Sequence, residues 1–161
     1  MTIRILVTGG TFDKEYNERT GQLYFKDTHI KEMLQLGRAK IEVSIRTVMM
    51  VDSLEMTEAD REQLYRCVAD ANTSRVIITH GTDTMTATAA RLASIPGKTI
   101  VMTGALTPAR FSESDASFNL GMAFAAAQIA PAGVYIVMNG EVFPAAAVRK
   151  DREAARFVRV G

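Results

Sequence analysis

A chain of 161 residues, 47% hydrophobic and 23% charged, has the size and composition of one globular domain. Folding at this length buries about 70% of the surface the unfolded chain exposes, so neither disulfides nor a metal is needed. A formal net charge of +1, from 19 basic and 18 acidic residues with no basic stripe, argues against a nucleic-acid partner, and the single Cys67 excludes a disulfide framework and a cysteine-rich zinc site.

The chain enters almost at once an apolar run at residues 3–7, read as a strand. No charged leader with a long apolar stretch precedes it, so no signal peptide is expected and the reduced cytoplasm is the default location. A helix is predicted over 27–36, where Ile30, Met33 and Leu34 share a face, Asp27 or Thr28 can cap, and Gly37 ends the pattern. Ile41, Val43 and Ile45 alternate as a half-buried strand that runs on to Val51. Thr57-Glu58-Ala59-Asp60 resembles a capping box, and Leu64, Cys67, Val68 and Ala71 then form a helical stripe. Cys67 is expected to be a buried helix residue.

Strands are predicted at 75–79, 99–103 and 134–138, separated by helices at 85–94 and 116–129. The apolar stretch from Ala123 to Met138 is broken by Gln128, Pro131 and Gly133, so it reads as helix, turn and strand and not as a membrane span. Residues 141–148 are extended, and Pro144 confines them to an edge strand or a loop. Strands alternating with helices imply a mostly parallel α/β sheet covered on both faces, in a single domain.

The strand ends carry the chemistry. The first finishes in Thr8-Gly9-Gly10-Thr11, another in Thr79-His80-Gly81-Thr82-Asp83-Thr84, a third in Thr103-Gly104-Ala105 and the last in Met138-Asn139-Gly140. In open α/β sheets ligands bind outside the carboxyl ends of the strands. Glycines there let backbone N–H groups approach a ligand, and a helix starting after Thr84 adds its free amides. No GxxxxGK[ST], GxGxxG or GxSxG occurs. With only His29 and His80, no metal site or cofactor is expected, and His80 reads best as a buried, hydrogen-bonded strand-end residue. Thr11 and Thr82 are candidate nucleophiles, though a turn or cap role would explain either alone. A threonine hydroxyl needs a positioned base. Lys150 can serve if burial or a nearby cation favours its neutral form, and Asp83 can orient it or grip a substrate ammonium.

Two longer segments decide between these readings. Ile5-Leu6-Val7-Thr8-Gly9-Gly10-Thr11 and Ile77-Ile78-Thr79-His80-Gly81-Thr82-Asp83-Thr84-Met85 resemble, in order and separation, the two signatures of the bacterial-type L-asparaginases. The similarity continues through Val101–Ala105, Phe118-Asn119-Leu120 and Val137-Met138-Asn139, up to about Lys150. The resemblance implies the catalytic N-terminal domain of that family, with a three-layer, flavodoxin-like or Rossmann-like sheet. It implies Thr11 as nucleophile, assisted by a loop tyrosine, Tyr16 or Tyr24. It further implies catalytic roles for Thr82, Asp83 and Lys150, and substrate binding by Ser53, Gly10, Gly81 and Asp83. From the repeated strand-then-Gly/Thr pattern, Thr11, Thr82, Asp83 and Ser53 are expected around one cavity at the carboxyl edge of the sheet. The expected substrate is a small-molecule amide, L-asparagine or a relative. The alternative is a weak or inactive module that binds or senses asparagine or aspartate.

Two departures from the family pattern matter. Leu54 stands where the family commonly has a glutamine that contacts the substrate carboxylate, and leucine cannot make that bond. No sequence resembling the family's C-terminal domain follows. A homo-oligomer is therefore expected, its neighbour covering the loop around residues 16–24. Weak binding of free L-asparagine, or preference for an amide whose α-carboxylate is absent or blocked, is expected as well, with Asp83 the main anchor for an α-amino group.

Overall fold

The computed structural model describes all of residues 1–161. In chain order the elements are β1 (Thr2–Gly9), β2 (Lys14–Asn17), β3 (Gln22–Phe25), α1 (Ile30–Leu36), β4 (Glu42–Val51), α2 (Glu58–Ala69), β5 (Arg75–Thr79) and α3 (Met85–Leu92). Then come β6 (Thr99–Thr103), α4 (Ala116–Ile129), β7 (Gly133–Met138), β8 (Glu141–Pro144), β9 (Val148–Asp151) and β10 (Arg156–Arg159). Single 3-10 turns follow β1, β4 and β8, at Thr11–Asp13, Ser53–Glu55 and Ala145–Ala147.

Six strands form one sheet in the order β4-β1-β5-β6-β7-β8. The first five are parallel and β8 runs antiparallel to β7. The chain moves from β1 outward to β4 and then crosses back to β5 on the other side of β1. That reversal makes the gap between the carboxyl ends of β1 and β5 the topological switch point, where a flavodoxin-like sheet opens a crevice for a ligand.

Alternation along the strands builds two cores. Leu6 and Ile78 face α2 and α3, packing with Leu64, Val68, Met85 and Leu92. Ile5, Val7 and Ile77 face the opposite side, against Ile30 of α1 and Leu120, Ala123 and Phe124 of α4. This is the three-layer α/β arrangement expected, and the central strands β1, β5 and β6 read as continuous apolar runs because both of their faces are covered. No helix is long and apolar enough to cross a membrane.

Local signals are realised unevenly. The capping box forms with both bonds: Asp60 N–H donates to the Thr57 hydroxyl (3.2 Å) and Thr57 N–H to the Asp60 carboxylate (2.9 Å). Pro144 does sit on the edge strand, paired with Tyr135. α1 begins at Ile30 instead of residue 27, with His29 in the cap position and no side-chain cap bond. α3 stops at Leu92, two residues early. Cys67 is only half-buried, at the margin of the α2 stripe, whereas Leu64 and Val68 are fully enclosed. The ribbons β2–β3 and β9–β10 were not anticipated, because four-residue strands with few buried positions leave almost no alternation to read.

Candidate active site

Three strand ends interlock through glycine. Gly10, after β1, has φ +73° and ψ −175°, a region essentially confined to glycine. A Cβ there would lie 2.5 Å from the Cα of Gly81. A Cβ on Gly81 would in turn lie 2.7 Å from Cβ and Oγ of Ser53. Gly10 N–H also donates to the Val51 carbonyl (2.9 Å) at the end of β4. Backbone therefore packs on backbone across the ends of β1, β5 and β4, which brings the segments bearing Thr11, Thr82 and Ser53 together at the switch point. Gly10→Ala combines a forbidden conformation with a backbone clash, so it is expected to destabilise the fold by about 3 kcal/mol or more. Denaturant unfolding measures this, and a loss below ~1 kcal/mol would contradict it.

Beside this junction lies a charged hydrogen-bonded group. Lys150 Nζ donates to Thr82 Oγ1 at 2.7 Å and to Asp83 Oδ1 at 2.8 Å. Lys150 reaches there because β9 is anchored on both sides of it. Val148 and Phe157 are buried in the core, and Phe157 N–H donates to Asn139 Oδ1 (2.8 Å) at the end of β7. Asp83 Oδ1 thus accepts from the lysine in this structure. Arg152 Nε adds a second cation 3.7 Å from the same Asp83 oxygen.

A second network braces the junction from behind. Ser53 Oγ accepts from Thr84 N–H (3.3 Å), and its carbonyl accepts from the Thr84 hydroxyl (2.8 Å). Arg61 donates to Thr84 Oγ1 and to Thr88 Oγ1, both at 3.1 Å, and to Glu58 at 2.7 Å. His80 is fully buried, with Nδ1 2.6 Å from the Gly81 carbonyl and Nε2 2.8 Å from the Thr88 hydroxyl. The carbonyl can only accept, so Nδ1 carries the proton and Nε2 accepts from Thr88. Burial, with Arg61 nearby, pushes the His80 pKa down to about 4, so the ring is neutral at physiological pH. The structural role read for His80 holds. Arg61 was missed, because a charged residue on an amphipathic helix reads as solvated.

The Thr11 side is more open. Thr11 is partly exposed at the start of its 3-10 turn. Tyr16 and Tyr24 lie on the β2–β3 ribbon, where Tyr16 pairs with Leu23 and Tyr24 with Glu15, so the two rings project from opposite faces. Both are exposed, and the Tyr16 hydroxyl points along the ribbon to within 3.9 Å of where a Gly21 Cβ would stand. Neither tyrosine is brought onto Thr82 or Lys150. The ribbon is tied down at its base by Glu15, which accepts from His29 (2.7 Å), Arg110 (3.1 Å) and Lys26 (3.3 Å). Burial works against ionisation of Glu15, but these three donors outweigh it and hold its pKa below the ordinary value. The single cavity expected around Thr11, Thr82, Asp83 and Ser53 is not enclosed: none of the four clefts in the molecule is lined by these residues. No cluster of three or more His, Cys, Asp or Glu is placed to hold a metal.

Asp13, two residues beyond Thr11, is fully buried and neither carboxylate oxygen has a hydrogen-bond partner. Burial pushes its pKa up from 3.8 to about 6, against a smaller opposing pull from the Thr28 hydroxyl, which is near but outside hydrogen-bond geometry, and from His29. The fold thus prefers the protonated acid. Between pH ~4 and ~6 the folded state binds more protons than the unfolded state, so stability falls as pH rises. Above that window the full cost remains, about 3 kcal/mol for a shift of about two pH units. Asp13→Asn is expected to raise stability by roughly that amount at pH 7.5 and by nothing below pH ~4. Equal gains at both pH values in denaturant unfolding would refute the assignment.

Residues 2–156 match the family model described as asparaginase, N-terminal. The chain is 31% identical over 155 residues to a glutamyl-tRNA(Gln) amidotransferase component of Methanococcus vannielii, covering 87% of this chain and 34% of that one. It is 31% identical over 161 residues to the glutaminase-asparaginase of Acinetobacter glutaminasificans, covering 91% and 48%. The thermostable L-asparaginase of Thermococcus kodakarensis superimposes with a TM-score of 0.86 at 26% identity, over 99% of this chain and 51% of that one. The chain thus spans about a third to a half of the length of these relatives. With residues 2–156 matching the family's N-terminal model and the fold superimposing on a solved relative, the chain belongs to the asparaginase family.

Proposed function

We propose that the chain is a threonine-dependent amidohydrolase acting on the side-chain amide of L-asparagine or of a related small amide. The observation that carries this reading is the contact of Lys150 Nζ with both Thr82 Oγ1 and Asp83 Oδ1, 2.7 and 2.8 Å, beside the Gly10–Gly81 junction that holds Thr11. The relatives' names, asparaginase, glutaminase-asparaginase and amidotransferase, all denote work on carboxamides.

In the proposed reaction Thr11 Oγ1 attacks the amide carbon, and the oxyanion forms beside the backbone N–H groups near Gly10 and Thr82. The C–N bond then breaks. The threonine proton leaves with the nitrogen as ammonia, relayed through Thr82 and Lys150. An ammonium has no lone pair, so Lys150 must pass a proton on before it takes one, and Asp83 keeps it aimed meanwhile. Water next hydrolyses the acyl-threonine ester and restores Thr11. Tyr16 belongs to the proposal as the group that assists Thr11 once the ribbon closes. Ser53 and Gly81 line the substrate side. A second copy of the chain is proposed to cover the open mouth, since an open site admits water and weakens its electrostatics. Sedimentation at micromolar concentration should show a dimer or larger, and a monomer alone would remove that part.

One observation favours a second reading of the nucleophile: Lys150 touches Thr82 and not Thr11. Trapping the acyl-enzyme by rapid acid quench, followed by peptide mass spectrometry, separates the two. The adduct is expected on the peptide bearing Thr11. An adduct on Thr82 would exchange the two roles.

A further inference from the structure

Arg61 stands near the start of α2, 8% exposed, and every nitrogen of its guanidinium is engaged. Nε donates to Thr88 Oγ1 (3.1 Å), Nη2 to Thr84 Oγ1 (3.1 Å), and Nη1 to Glu58 (2.7 Å) and the Met56 carbonyl (3.4 Å). A guanidinium only donates, so each hydroxyl it meets must turn its own proton elsewhere. Thr84 donates to the Ser53 carbonyl (2.8 Å). Thr88 donates to His80 Nε2 (2.8 Å), since its other neighbour, Met56 Sδ at 3.7 Å, is a weak acceptor.

The Thr88 branch therefore runs in one sense. With Nε2 accepting, the ring proton of His80 sits on Nδ1 and goes to the Gly81 carbonyl at 2.6 Å. Burial and the Arg61 charge keep the ring neutral. No peptide bond in the chain is cis, so the Gly81 carbonyl and the Thr82 N–H share a planar trans peptide and point in opposite directions. Drawing the carbonyl in toward the buried His80 turns the Thr82 N–H outward, away from the core. That N–H donates to no other group in the chain. It is a preorganised donor beside Gly10 and the Thr11 segment.

We propose that Arg61 is a positioning residue for the reaction: through Thr88 and His80 it holds the Gly81–Thr82 peptide with its N–H toward the attacked amide, where that N–H stabilises the oxyanion. This deepens the amidohydrolase reading and rests on it. Arg61 itself touches no reacting atom. Its other branch, through Thr84, fixes the Ser53 turn against which Gly81 packs, so one guanidinium sets both sides of the Gly81–Ser53 contact.

Arg61→Met keeps the bulk of the side chain and removes every donor. On any amide the unmodified protein hydrolyses, it is expected to lower kcat by about 10- to 100-fold and to change KM by less than about 3-fold, because an oxyanion donor acts in the transition state. Arg61→Lys restores one donor and should recover part of kcat. Thr88→Val, of nearly the same shape as the original, should lose kcat in the same way, and the two losses should be less than multiplicative. His80 separates aiming from packing. His80→Asn keeps a donor at the Nδ1 position, whereas His80→Gln keeps more of the volume and loses that donor, so His80→Asn should retain the higher kcat. Nitrogen NMR of the unmodified protein should find the neutral His80 ring protonated on Nδ1. Should Arg61→Met fail to fold, Thr88→Val and the two His80 variants carry the same test. A folded Arg61→Met protein with unchanged kcat overturns the proposal. So do a loss confined to KM, multiplicative losses with Thr88→Val, a more active His80→Gln, or a His80 proton on Nε2. In those outcomes the amidohydrolase reading stands, because the unmodified protein still releases ammonia. No ammonia from any amide with the unmodified protein overturns that reading, and the inference with it.

Discussion

Thr11→Ala is expected to lower kcat for amide hydrolysis by at least ~10³-fold, the largest single effect in this molecule. In the proposed reaction the Thr11 hydroxyl oxygen becomes the ester oxygen. Asp13 is the nearest carboxylate in sequence, but it ends the same 3-10 turn and is fully buried. Thr11→Ser keeps the nucleophilic oxygen and should retain measurable turnover, reduced because serine lacks the methyl group that restricts the rotamer. KM should change little in either variant, since the loss is made in the transition state. Purified, folded Thr11→Ala protein with near-normal turnover would remove Thr11 from its role.

Lys150→Met and Thr82→Ala are each expected to cost about 10²- to 10³-fold, and the double variant no more than the worse single one. The reason is geometric. Lys150 Nζ, Thr82 Oγ1 and Asp83 Oδ1 form one connected group, with Nζ as its only donor to both oxygens. Removing any member disables the relay, so the second removal finds nothing left to lose. A double-mutant cycle in kcat tests this. Multiplicative losses would mean that Thr82 and Lys150 act on separate steps. Lys150→Met also leaves Asp83 with only the more distant Arg152, so a change in thermal stability should accompany it and serves as a folding control.

Much of the sheet was legible because β1, β5, β6 and β7 are buried on both faces and spell continuous apolar runs. The Thr57–Asp60 box and Pro144 also announced their roles locally. The β9–β10 ribbon was not legible. Only Val148 and Phe157 of its residues are buried, yet it delivers Lys150 and Arg152 to Asp83. Lys150 was therefore placed by family resemblance and not by periodicity, while Arg152 gave no signal at all. Arg61 and Asp13 were hidden for a related reason. A buried charge violates the pattern that makes burial readable, and only the surrounding hydroxyls of Thr84 and Thr88, or the absence of partners for Asp13, reveal it. Tyr16 and Tyr24 project from opposite faces of the β2–β3 ribbon, so at most one of them can face the site at a time.

The glycine junction brings the two threonine segments together. Gly9-Gly10 and Gly81 look like ordinary turn residues in sequence. In the fold, Gly10 abuts Gly81 and Gly81 abuts Ser53, so the two threonine segments meet only because three side chains are missing or small. That contact, and not any one hydroxyl, distinguishes a site from a set of unrelated strand ends.

Whether the chain hydrolyses amides through Thr11 is decided by ammonia release from the purified protein over a panel of small amides including L-asparagine, L-glutamine and succinamate, with Thr11→Ala in parallel. Saturable release from at least one of these amides is expected, falling by ~10³-fold in Thr11→Ala. No release above the Thr11→Ala background from any amide, at protein concentrations where calorimetry detects binding of asparagine or aspartate, would contradict the amidohydrolase reading and mark the chain as a binding module.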